Sequence, residues 1–170
     1  MTAEQRQLIL NLITKSIDES EFLSRFGADP RSDPHVTVDF LEHAIQERSA
    51  DDAELAVTLA FYFGLSVTFV PSLNALLGEP WHFRHEDIAG ALQLLRDPRS
   101  VDALYRAAET QLAYLDFDEN YGLARKCTWA LSDIGNADSR EKLLRLAASQ
   151  NPTIAAYATK RLTSPSRTPN

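Results

Sequence analysis

A shift of 39 residues lays the second half of this chain on itself. IAGALQLLRDPRSVDALYRAA (88–108) aligns with CTWALSDIGNADSREKLLRLA (127–147). Ala91-Leu92 falls on Ala130-Leu131, Leu95 on Ile134, Asp97 on Asn136, Leu104 on Leu143, Arg106 on Arg145 and Ala108 on Ala147. A further copy begins in NPTIAAYATKRL, where Ala158 and Leu162 match Cys127 and Leu131 at a shift of 31. Each copy is one supersecondary unit that cannot bury its apolar face alone, so copies must stack. Small residues (Ala91, Ala130, Ala147) let helices approach closely, and Leu and Ile fill the space between them. Asp97 and Asn136 are placed to cap the second helix of each pair.

The rest of the chain also has helical period. Leu8, Ile9, Leu12 and Ile13 share one face of a first helix. Asp18 caps a second, with Phe22, Leu23 and Phe26 apolar and Gly27 at its end. ADPRSDPH (28–35) is a loop, and Phe40, Leu41, Ala44 and Ile45 mark a third helix. Ser49 caps a fourth that runs through Leu55, Leu59 and Phe63 to Gly64. Val67–Val70 has strand-like composition but no pairing partner, and Pro71 suits a helix start, so a helix is predicted near 68–77. Further helices are predicted near 83–95, 99–113, 121–134, 138–148 and 152–162. The expectation is an all-α solenoid of antiparallel helix pairs, nine or ten helices in one domain over 1–162. Repeats are clear over 82–162, and 1–81 holds divergent pairs. TSPSRTPN (163–170) is expected to be a disordered tail.

Ala124-Arg125-Lys126-Cys127, Ala130-Leu131 and Ile134-Gly135 resemble the V-R-x-x-A-x-x-A-L-x-x-I-G signature of HEAT-like repeats of the phycobilisome-lyase type. The 82–110 copy lacks the Arg and the Gly. This resemblance implies a right-handed superhelical array. A longer succession is similar to a group of small bacterial HEAT-like proteins. It runs FLSRFG, DD-E-A…FGL, E-P-W-H-F-R-H-E-D-I, L-x-D-P-R-S-V-D-A-L-Y-R-A-A, Y-L-D-F-D and A-R-K-C-T-W-A-L-S-D-I. Members are often encoded near polymorphic or contact-dependent toxins, and that resemblance implies an immunity role.

No reaction is written in the residues. Asp116, Asp118 and Asn120 open like a calcium loop. Its sixth position, however, is Tyr121 where Gly is needed, and its twelfth is Cys127 where Glu is needed. His82 and His85, three apart, could share a metal with Glu86 or Asp87. Capping of a helix start by the two acids is the plainer reading, and no metal or other cofactor is expected. Cys127 reads as a small buried residue in the repeat rather than a nucleophile. There is no phosphate-cradling glycine motif. Arg99, Arg106, Arg140, Lys142 and Arg145 alternate with Asp102, Glu109 and Glu141, which describes a solvated mixed face. The chain is expected not to be an enzyme.

Net charge is −7, which argues against nucleic acid as a partner. One cysteine, no membrane-length apolar run and no signal-like start suggest a cytoplasmic protein, monomeric when free and without a membrane role. The acidic-aromatic insert YLDFDENY (114–121) separates two repeats, and solenoid insertions fall on one edge. It supplies the first candidates for a protein partner: Tyr114, Asp116, Phe117, Asp118, Glu119 and Tyr121. Aromatics would anchor and acids would steer. Trp81, Asp51, Asp52 and Glu54 are lesser candidates. The partner suggested is a basic toxin domain, such as a nuclease. The alternative is a scaffold or adaptor of the same fold that binds a host protein, with no antitoxin role.

Overall fold

Helix starts follow the capping residues. The computed structural model describes residues 1–115 and 120–163. Among them are ten α-helices, three short 3-10 turns and no strand. The first four helices are α1 (Ala3–Ile13), α2 (Glu19–Phe26), α3 (His35–Glu47) and α4 (Ala50–Phe63). Thr2 and Gln5 form a reciprocal capping box on α1. The Glu21 N–H donates to Asp18 Oδ1 at 2.8 Å, and the Asp52 N–H donates to Ser49 Oγ at 3.3 Å. Gly27 ends α2 at φ 77°, a backbone state that costs glycine nothing. The strand-like Val67–Val70 stretch is a 3-10 turn over Val67–Phe69 leading into α5 (Val70–Leu77).

The remaining helices are α6 (His85–Leu95), α7 (Val101–Glu109), α8 (Gly122–Ile134), α9 (Ala137–Ala147) and α10 (Pro152–Thr163). The α5 and α7 helices begin at Val70 and Val101 rather than near 68 and 99, each behind a 3-10 turn, and two further boundaries differ from the periodicity. The α6 helix starts at His85 rather than 83, because the Arg84 N–H donates to His82 Nδ1 and holds a turn there. The α7 helix stops at Glu109 rather than near 113. There Thr110 turns extended, and its hydroxyl donates to the Arg106 carbonyl at 2.8 Å. Residue Thr163, expected in the tail, closes α10, and 164–170 lie outside the described residues.

Contacts divide the chain into two compact units. The first comprises Met1–Ser72 with Trp81–Arg84, and the second Leu73–Pro80 with the described residues from His85 onward. In the first, α1 packs on α2 and α4, and α3 packs on α4. Its core holds Ile9, Leu41, Leu59 and a ring cluster. Phe22 stacks on Phe26 and Phe63, and Phe26 meets Phe40 edge-on.

In the second unit α8 is the hub, packed against α6, α7, α9 and α10. The helices related by the 39-residue shift, α6 with α8 and α7 with α9, pack on each other. Of the residues matched by that shift, Ala91, Leu92, Leu104, Ala108, Ala130, Leu131 and Leu143 are buried, as is Cys127, and Leu95, Ile134 and Ala147 are partly buried. The equivalent caps behave alike. Asp97 accepts the Arg99 N–H, and Asn136 accepts the Ser139 N–H at 2.7 Å.

Candidate functional site

The ends of the acidic-aromatic insert are described, and its centre is not. Asp116, Phe117, Asp118 and Glu119 lie outside the described residues. Tyr114 sits in a 3-10 turn, Ala113–Leu115, and is partly buried. Its hydroxyl lies 3.0 Å from His85 Nδ1. His85 Nε2 lies 2.8 Å from the Glu79 carbonyl oxygen, which can only accept. A neutral His85 ring therefore donates from Nε2 and accepts the Tyr114 proton at Nδ1. Burial raises the Tyr114 phenol above its ordinary value. Tyr121 takes a left-handed φ of 50° at the start of α8. Asn120 is held from α10, where the Tyr157 hydroxyl donates to its carbonyl at 2.7 Å.

The lesser candidates separate by exposure. Asp51 is exposed. Asp52 is fully buried, gripped by Arg6 through Nε–Oδ1 at 2.6 Å and Nη2–Oδ2 at 3.0 Å. The Arg6 hydrogen bonds hold its carboxyl below the usual range. His43 Nε2 stands 3.8 Å away. A carboxylate so enclosed is a structural pin of the first unit rather than a docking group. Glu54 is half-exposed and bridges to Arg84 at 2.5 Å. Trp81 is partly buried, edge-on to the His82 ring.

The residues that suggested metal or thiol chemistry are committed elsewhere. His82 and His85 are both fully buried. Hydrogen bonds occupy both ring nitrogens of His85 and the Nδ1 of His82. Among the described residues no group of three or more His, Cys, Asp or Glu side chains could hold a metal ion. Cys127 has no exposed surface, and burial pushes its thiol far up, so it carries no thiolate at neutral pH.

The basic residues of α7 and α9 behave as a mixed face. Arg99 pairs with Asp97, Lys142 with Asp102 at 2.7 Å, and Arg145 with Glu141 at 2.5 Å. A different set converges. Arg125 and Lys126 of α8, with Lys160 and Arg161 of α10, line a cleft of about 460 Å³ together with Trp129 and Tyr157. Gln93 of α6 completes the wall. The Arg161 guanidinium lies 4.1 Å over the Trp129 ring centroid. Among the described residues, the carboxylates at its edge are Glu86, 3.4 Å from Lys126 Nζ, and Asp133, which accepts from the Gln93 amide at 2.6 Å. Sequence reasoning missed this cleft. The two cation pairs are 35 residues apart and do not superpose in the repeat register, so only packing of α10 on α8 brings them together.

Charge is divided unequally. Of the 24 acidic and 17 basic residues in the sequence, the first unit has twelve acidic and six basic, and the second, counted along the sequence to Asn170, twelve acidic and eleven basic. Nearly all of the net −7 therefore belongs to the first unit. Compared with protein-family models, curated proteins and solved structures, the chain has no match.

Proposed function

We propose that this chain is a non-catalytic protein-binding module, a HEAT-like α-solenoid that acts as an immunity protein against a basic toxin domain. The observation that carries the charge side of this reading is the acidic excess of the first unit, twelve acids against six bases. A field of one sign speeds encounter with a partner of the other and sets its orientation. The same unit has half-exposed rings in Phe61, Tyr62 and Phe83, the residue type that anchors interfaces. Preformed helices lose little entropy on binding. The antitoxin role rests on the resemblance of the repeat and insert motifs.

A large toxin gene directly upstream is expected, and the test is co-expression with the C-terminal domain it encodes. Rescue of growth with co-purification supports the reading. If the protein neither rescues nor co-purifies, the immunity role fails; host-protein binding without rescue would point to an adaptor. For the insert, Asp116, Asp118 and Glu119 changed together to Lys should weaken the complex without changing the melting temperature. Unchanged affinity would remove those residues from the interface.

A further inference from the structure

We infer that the cleft between α6, α8 and α10 is a binding site for a small phosphate-bearing anion. This goes beyond the toxin-binding reading, since none of its lining residues is among those assigned to that surface.

Arg125, Lys160 and Arg161 repel each other within one cleft, and a multiply charged anion relieves all three together. Arg125, Lys160 and Arg161 have no carboxylate partner among the described residues. By contrast, the neighbouring Arg99, Lys142 and Arg145 are each neutralised. Lys126 shares Glu86 at 3.4 Å, a looser pair. Among the described residues the cleft is therefore lined by more cations than anions, in a chain of net charge −7.

Its chemistry suits phosphate. A phosphate monoester has a charge near −2 and three strong acceptor oxygens. Guanidinium groups bind such oxygens through paired N–H donors, and ammonium groups supply point charge. Stacking on Trp129 restrains the Arg161 guanidinium before any ligand arrives, which lowers the ordering cost of binding. Tyr157 is likewise held by its bond to Asn120.

Size and overall charge select a small ligand over a polymer. A volume of about 460 Å³ lies within the usual range for small-molecule sites. A long nucleic acid or polyacidic chain would extend beyond the cleft and meet the repulsion of a net-negative protein. Trp129, at 39% exposure, and the Gln93 amide stand where a ring attached to the phosphate could lie.

Isothermal titration of the whole chain with sodium pyrophosphate and with ATP, in about 0.1 M salt, tests the site. Saturable one-to-one binding is expected for both. A double variant, Arg125→Gln with Lys160→Gln, should lower affinity at least about tenfold. Both side chains are exposed, so its circular dichroism and melting temperature should not fall. Tighter binding of ATP than of pyrophosphate would add a ring to the ligand, and equal binding would make the phosphates the whole of it; either supports the site. Absence of saturable binding to both, or binding that the double variant leaves unchanged, overturns it. So does saturable binding only of a single-stranded oligonucleotide or a polyglutamate peptide titrated alongside.

Discussion

At the scale of single residues, burial decides which chemical groups are available. Asp52 and Asp51 are neighbours in the first turn of one helix, yet one is enclosed and the other exposed. Asp52→Asn should destabilise the protein by about 2 kcal/mol at neutral pH, read by urea unfolding, because a charge-assisted bidentate contact is lost. Its carboxyl is lower in the folded than in the unfolded chain, so its stabilising share is fully present above the unfolded value near 4. That share disappears as pH falls through the folded value. Asp52→Asn should therefore flatten the acid limb of stability measured from about pH 5 downward. Cys127 gives a second expectation. A disulfide-exchange reagent should label the native thiol only as fast as the protein opens, and labelling should accelerate with urea. Cys127→Ser, which buries a new hydroxyl, should cost about 1–3 kcal/mol in the same unfolding assay.

At the scale of elements, caps and turn residues separate the helices. Asn136→Ala removes the acceptor for the Ser139 N–H and should cost about 1 kcal/mol by denaturant unfolding. Gly135 precedes it at φ 68°, where a Cβ would be strained. Tyr114→Phe should lose about 1 kcal/mol by removing the hydroxyl that meets His85, a contact 29 residues away in sequence. Most of these elements are legible from sequence, since caps and apolar spacing act within four residues of their targets. The early end of α7 is less so. Periodicity continues past Glu109, and only the Thr110 hydroxyl turning back to Arg106 shows where the helix closes.

At the scale of the whole molecule, charge is distributed by unit: an acidic first unit and a near-neutral second one with a cationic cleft. If a basic domain is the partner, its association rate should fall at least about tenfold between low and physiological salt, with a smaller change in dissociation, as stopped-flow mixing would show. The all-helical class, most caps, and the repeat that supplies much of the α8-centred core can be read from the residues in order. These are periodic and local, and a 3.6-residue period states which side of a helix is apolar. That Asp52 is enclosed, that His85 is locked between Glu79 and Tyr114, and that Arg125, Lys126, Lys160 and Arg161 share one cleft emerges from the packing of distant helices. The difference is one of range. Whether a polar group is covered, or two cation pairs meet, depends on which distant helix lies over it, and no local pattern encodes that.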